Sequence, residues 1–413
     1  MEDDKLLSLP TSLPWHSFFS SGCLFSANSS SLLSRSQTAA PAARCSAHPL
    51  PEQLESANEE LWLAWNGSPG DPSPRRSDSL SLFLPDFFLN DKHAWVSYAH
   101  HKKLKKADLI SGLQSWLSSR TVDTARPELQ WQSMGYAHFV EGFADLQDRF
   151  EQGKLRKAVP YAYENAPFYL DPTRKAEIIL DLLLSTLDFP LFIYGNWNSQ
   201  GGILGATPEM LFFEDQEGSL VVPAVAGTRP RAATGMAPGI ESQASLLKSL
   251  KERDEHQIVI EGILESLKEW KSVQVGETRE LFLPTLVHLY TPIIIKKWRS
   301  QAEVSPAVQL LELIQRLHPT PALGAFPRKE GMEWLSRYHQ GLDRRRLGAP
   351  FGMTDPEGKI QCAVSIRNLQ WTEDQLYIGA GCGVVQASRV DQEWTEIKNK
   401  IQSVKKMLGW CAK

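Results

Sequence analysis

Four strand-like runs follow one another along residues 191–224 with no helical stretch between them: Leu191-Phe-Ile-Tyr, Gly202-Ile-Leu-Gly-Ala, Met210-Leu-Phe-Phe and Leu220-Val-Val. Two more, over 361–371 and 376–380, come late in the chain. Helical patterns lie apart from them: 137–152, ending at Gly153, then about 241–270, 305–317 and 391–409. Strands and helices therefore come in blocks. That grouping predicts an α+β fold with mixed or antiparallel sheets rather than a parallel sheet wound through alternating helices. Lys157-Ala-Val-Pro-Tyr-Ala reads as one strand, 79–88 and 94–98 as short strands, and His100-His-Lys-Lys-Leu-Lys-Lys as a polar turn into a helix. Residues 1–80 are rich in Ser, Pro and Ala, with Pro69-Gly-Asp-Pro-Ser-Pro-Arg-Arg as a loop. We expect one composite domain, in which a weakly patterned region, 1–134, lends strands to a main body at 135–413.

At 413 residues, 42% hydrophobic and 22% charged, the chain is long enough to bury a large core. A net charge of −4 gives no overall attraction to nucleic acid or to an anionic membrane, so any anion site must be local. Five scattered cysteines, without paired spacing, fit neither a disulfide framework nor a zinc site and suggest a reducing compartment. The acidic start, Met-Glu-Asp-Asp-Lys, and the lack of a long apolar run predict a soluble, cytoplasmic protein.

Chemistry concentrates in two acidic pairs. Glu393, Glu396 and Lys400 stand three and four residues apart after the glycine-rich Gly379-Ala-Gly381-Cys-Gly383, a spacing that puts them on one helical face. Glu252 and Glu255, in Lys251-Glu-Arg-Asp-Glu-His256, repeat the step on another predicted helix. Either pair alone reads as a solvated ion-pair face. Facing each other, the two pairs can hold a hard cation through oxygen.

Together with Gly205-Ala-Thr-Pro-Glu209, Val225-Ala-Gly227-Thr228 and Ala363-Val-Ser-Ile-Arg367, these segments give five motifs in an order that resembles the chorismate-utilising enzymes, over roughly residues 135–409. Leu317-His-Pro-Thr320-Pro-Ala322 looks like the isochorismate and salicylate synthases within that family, and Lys157 stands where the water-using members place a general base. The resemblance implies a single α+β domain of two large sheets packed together with helices outside, the fold of anthranilate synthase component I. It also implies an isochorismate synthase acting on chorismate as a monomer or weak homodimer, with no glutaminase subunit. The alternatives are a salicylate synthase, which goes on to eliminate pyruvate, and a non-catalytic chorismate-binding protein.

Moving a hydroxyl from one ring carbon to another needs a base that activates water and an acid that protonates the departing hydroxide. The resemblance gives those roles to Lys157 and Glu209. The lysine requires a pKa lowered by roughly two or three units from about 10.4, and the acid requires a raised one. Read by itself, Lys157 is a solvated strand-end lysine in Lys154-Leu-Arg-Lys157, and Glu209 a turn residue after Pro208. Mg2+ suits the ring carboxylate; by resemblance Glu255 and Glu396 are its direct ligands, and Glu252 and Glu393 hold metal-bound water or stand behind. Arg367 and Lys400 are expected to meet substrate carboxylate, Gly381 and Gly383 to allow close backbone approach, and Gly227, Thr228, His288 and Thr320 to line the pocket. The chain departs from the family pattern at Leu347, where a tyrosine is usual, and at Ala325 and Ala349, where glycines are usual. The added methyl groups are expected to lie beside the bound ring.

Overall fold

The computed structural model describes residues 13–27, 59–66, 79–98, 100–120, 127–187, 189–230, 245–283, 286–299 and 304–410. Two nine-stranded sheets dominate it, and every pairing between described strands is antiparallel. The first sheet runs His100–Lys105, Glu60–Trp65, Gly22–Ser26, Phe192–Trp197, Gly202–Thr207, Asn368–Trp371, Gln375–Gly381, Tyr161–Pro167, Gln132–Met134. The second runs Val273–Val275, Leu286–Ile295, Leu220–Pro230, Met210–Glu214, Ile360–Val364, Pro350–Thr354, Leu80–Phe83, Trp95–Tyr98, with Arg279–Phe282 also on Leu286–Ile295.

The sheets pack face to face through aromatic side chains. Phe25 of the first stacks on Phe351 of the second with ring centroids 5.6 Å apart, Tyr194 meets the same ring at 5.1 Å, and Phe192 meets Phe213 at 6.1 Å. Such pairs combine a large apolar area with favoured ring geometry. Helices cover the outer faces: Lys106–Ser118 and Pro172–Ser185 beside the first sheet, Leu250–Ser266 and Pro306–Leu317 against the second. Their starts are written locally. Asp171 accepts from Thr173 N and Arg174 N ahead of Pro172, and Ser305 accepts from Val308 N ahead of Pro306. The architecture is α+β.

Local structure departs from the sequence reading at four places. His100–Lys105 is an edge strand paired with Glu60–Trp65 rather than a polar turn, and its lysines are what an exposed edge requires to resist further pairing. The helix expected over 241–270 runs Leu250–Ser266, because the Ser249 hydroxyl caps it by accepting from Glu252 N; residues 241–244 lie outside the described residues, as does the Pro69 loop. Lys157 to Ala162 is divided at Pro160, which has no N–H to give a ladder, so that Lys157–Ala158 and Tyr161–Pro167 belong to different sheets. The run at 361–371 is likewise two strands, Ile360–Val364 in the second sheet and Asn368–Trp371 in the first.

That last division recurs on the neighbouring strand. Gly202–Thr207 lies in the first sheet and Met210–Glu214 in the second, so the chain passes between sheets twice at the same level. Val364 N donates to Glu209 O at 3.0 Å and Ala206 N to Arg367 O at 3.3 Å, which locks the two crossings together.

Candidate active site

Glu209 and Arg367 sit on these crossings, and both line one cavity. Arg367 has φ +56°, a conformation costly for a residue with a side chain and found where the surroundings impose it. Its guanidinium is buried, which lowers its pKa to about 10 against the opposing pull of Glu396 and Glu209. Glu209 is 6% exposed, and burial raises its carboxyl to about 7, although the positive charges of Lys157, Lys400 and Arg367 pull the other way. At neutral pH a substantial fraction of it therefore carries a proton.

His288 fixes Arg367 from the second sheet. A bulge between Ala226 and Thr228, with Gly227 at φ +71°, interrupts pairing of Leu220–Pro230 with Leu286–Ile295 and brings the Gly227 carbonyl to 3.0 Å from His288 Nδ1. His288 Nε2 lies 3.3 Å from Arg367 Nη2. A guanidinium only donates, so Nε2 accepts and the proton is assigned to Nδ1, facing Gly227 O. Burial first, then Arg367 and Lys400, depresses this imidazole to about 3, and it stays neutral. Thr228 Oγ1 stands 3.1 Å from the same Nδ1.

The two acidic helices close the cavity from the other side. Glu252 is the third residue after the Ser249 cap, the place from which a glutamate ordinarily turns back to its own helix start. Here its Oε2 accepts instead from Thr228 N at 2.7 Å, so the carboxylate leaves the cap for the site. Burial, and then the charge of Glu255, raises it to about 7. On the Val390–Met407 helix the apolar stripe Ile397, Ile401 and Val404 is buried, and Glu393, Glu396 and Lys400 occupy an adjoining face. Glu393 is 1% exposed, its pKa raised by burial and by Glu396. Lys251 bridges the helices, 2.8 Å from Glu393 Oε1 and 3.7 Å from Glu252 Oε1. Burial works against its charge, but Glu393 and Glu252 raise its pKa overall. Lys400 Nζ meets Glu396 Oε1 at 2.6 Å and donates to Gly381 O at 2.9 Å.

Lys157 does not line the cavity directly. Strand Lys157–Ala158 joins Ala325–Phe326 and Val384–Val385 in a separate three-stranded sheet, which holds the lysine fully buried just behind Gly383 and Glu255. Its Nζ stands 2.9 Å from Glu255 Oε1, out of line for a hydrogen bond. A Cβ on Gly383 would come within 2.0 Å of Glu255 Oε1 and 2.8 Å of Lys157 Cε, so only glycine leaves room for the pair. A Cβ on Gly381 would likewise come within 2.9 Å of Pro160 O.

Of the residues singled out in the sequence, Glu209, Gly227, Thr228, Glu255, His288, Arg367, Gly381, Gly383 and Lys400 line this cavity, and Glu252, Glu393 and Glu396 line the adjoining opening. Thr320 is outside the lining of both; its Oγ1 accepts from Ala322 N at 3.3 Å and its carbonyl from Gly324 N, so it shapes a turn. Of the three departures only Leu347 faces the cavity. Ala325 points its methyl at Gly331, whose missing side chain makes the space, and Ala349 is bonded into the chain around Arg346 and Ser365. The expectation of added methyl groups beside the ring is corrected on both. Sequence reasoning gave no role to Lys251, or to Leu323 and Ile366, which form apolar wall. Lys251 was legible as the start of the Lys251 to His256 motif; the wall was not, since isolated leucines and isoleucines carry no pattern.

The donor set fits a hard divalent cation: four carboxylates, of which the buried Glu393 and the half-buried Glu252 have pKa raised by burial and then by a neighbouring glutamate, and a Glu393 Oε2 without a hydrogen-bond partner. Lys157, Lys251 and Lys400 balance this charge in the structure, and among the described residues no three His, Cys, Asp or Glu side chains stand at coordinating geometry. Binding therefore requires the lysines to yield.

Comparison with known proteins gives the family and the shared fold. The chain is 32% identical over 268 residues to the salicylate biosynthesis isochorismate synthase of Pseudomonas aeruginosa, covering 64% of this chain and 53% of the relative. It is 33% identical over 211 residues, 51% of each chain, to isochorismate synthase EntC of Escherichia coli. The chain thus spans about half the length of these curated relatives. Among solved structures, MenF, the menaquinone-specific isochorismate synthase of Escherichia coli, superposes with TM-score 0.66 at 16% identity, over 96% of this chain and 92% of that one. Anthranilate synthase component I of Streptococcus pneumoniae superposes with TM-score 0.58 at 15% identity, over 99% and 95%; both show the shared fold. Residues 79–409 match the family model described as chorismate binding enzyme, and the chain belongs to that family.

Proposed function

We propose that the protein is an isochorismate synthase: it adds water to the ring of chorismate with loss of the ring hydroxyl, giving an isomer of unchanged mass. The observation that carries this reading is Glu209, a buried carboxyl facing the cavity with a pKa of about 7, as a proton donor to departing hydroxide must have. Lys157 is the base for the incoming water and acts once its ammonium has parted from Glu255 and lost a proton. Arg367, held by His288, meets one substrate carboxylate with its planar fork, and Lys400 adds a second positive charge. The apolar wall formed by Leu323, Leu347 and Ile366 excludes water from the ring except on the side of attack.

Glu255 and Glu396, with Glu252 and Glu393 behind them, would hold Mg2+, which would supply positive charge for the ring carboxylate. Water rather than ammonia is the nucleophile, in keeping with the lysine at 157, where the water-using members of the family place a general base.

One chromatogram tests the proposal. Purified protein, chorismate and Mg2+ are expected to yield a product of chorismate's own mass, with none in EDTA. Release of pyruvate with an aromatic product would replace this reading with a salicylate synthase. Binding of chorismate without turnover would leave only a chorismate-binding protein.

A further inference from the structure

Arg344 is 1% exposed, yet among the described residues it makes no ion pair with a carboxylate, and its Nη1 has no hydrogen-bond partner. A buried guanidinium so poorly compensated is costly. Its remaining contacts are specific. Nε donates to Leu347 O at 2.9 Å and Nη2 to Leu323 O at 2.8 Å, while the charge lies 3.6 Å over the Phe87 ring and 4.9 Å from the Tyr161 ring. Arg344 is itself held at both ends of its backbone: its N–H donates to His339 Nδ1 at 3.0 Å and its carbonyl accepts from Tyr163 Oη.

The two carbonyls belong to two separate loops, 318–324 and 342–349, neither of which is helix or strand at those positions. Each loop contributes its leucine to the cavity wall. Gly348, at φ +76°, passes so close that an added Cβ would lie 3.1 Å from Arg344 Nη2 and 3.1 Å from Leu323 Cδ1. We infer that Arg344 is a positioning residue for substrate binding: its rigid fork clamps Leu323 and Leu347 through their carbonyls and thereby fixes the distance between the two halves of the apolar wall. A lysine has no rigid fork, so its ammonium cannot hold the two carbonyls at a fixed separation. The inference rests on the proposed chorismate site.

The test compares wild type, Arg344→Lys, Arg344→Met and Gly348→Ala, with Tyr98→Phe as a stability control whose lost hydroxyl contacts lie at Gly22 and Asn196. Chorismate binding is measured by calorimetry, and amide exchange is followed in peptides spanning the two loops. Arg344→Met, which removes both hydrogen bonds of the fork, and Gly348→Ala, which crowds it, are expected to raise the Kd for chorismate by about tenfold or more, with Arg344→Lys between them and wild type. KM rises accordingly while kcat changes less, since Arg344 touches no reacting atom. Exchange should quicken in both loops and in neither the control nor the outer helices. If Arg344→Met does not fold, Arg344→Lys and Gly348→Ala decide. Folded variants that bind chorismate within about twofold of wild type, or that leave exchange in the loops unchanged, overturn the inference. Wild type that fails to bind chorismate overturns the functional reading instead, and the exchange data then judge the clamp alone.

Discussion

Replacing Glu209 by glutamine probes the central electrostatic argument without turnover. In the folded protein burial raises this carboxyl from its usual 4.5 to about 7. Below about pH 4.5 it is protonated whether the chain is folded or not, and the wild type bears no penalty. Between about 4.5 and 7 the unfolded chain releases the proton while the folded one keeps it, so the folded state binds more protons and stability falls as pH rises. Above about 7 both are ionised and the full cost is present. The difference of 2.5 units (7 − 4.5) corresponds to on the order of 3 kcal/mol at about 1.4 kcal/mol per unit. Glutamine keeps the shape and never ionises. Urea denaturation at a series of pH values should therefore give equal stabilities near about pH 4, with the variant pulling ahead by about 3 kcal/mol by about pH 8. Glu252 titrates over the same range in both proteins and cancels from the difference. A difference independent of pH would refute the buried, elevated carboxyl, and with it the assignment of Glu209 as the acid.

Gly383→Ala puts a methyl group 2.0 Å from Glu255 Oε1; turnover should vanish with stability lowered by about 1–3 kcal/mol, and a variant as active as wild type would show that Lys157 and Glu255 are not held against this glycine during the reaction. Arg367→Lys leaves the positive φ equally strained but removes the fork, so kcat/KM should fall roughly 10–100-fold with the fold intact, and a loss under about twofold would remove Arg367 from substrate recognition. His288, depressed to about 3, should give ring nitrogen resonances of a neutral imidazole at every pH from about 5 to 9, and a titration near the usual 6.5 would contradict its hydrogen bonds to Gly227 and Arg367.

The chemistry-bearing side chains were legible because their spacing is periodic or their neighbours unusual. Glu393, Glu396 and Lys400 fall on one helical face by arithmetic, and Gly381 and Gly383 bracket a segment that only close approach explains. The α+β grouping followed from strands in unbroken runs. What stayed hidden depends on contacts across long separations. Nothing local distinguishes Leu323 from a core leucine until Arg344 is seen tying its carbonyl to that of Leu347, and the methyl of Ala325 is harmless only because Gly331 faces it. The divisions at Pro160 and at Ser365 to Arg367 were missed for a related reason: continuous β-propensity does not reveal that one run serves two sheets.

Those divisions explain why the site lies where it does. A strand within a sheet spends its N–H and C=O groups on its neighbours and alternates its side chains between faces. At a crossing between sheets both constraints lapse, and Glu209 and Arg367 can turn inward at one level while Val364 N and Ala206 N still satisfy their carbonyls. The same positions break local rules at some cost to stability: Arg367 takes a positive φ, Glu252 deserts its helix cap for Thr228 N, and Lys157 and Glu209 are buried as ionisable groups. A sequence optimised for folding alone has no reason to collect these conflicts in one place: Glu209 and Arg367 line the cavity, Glu252 its adjoining opening, and Lys157 stands directly behind Gly383.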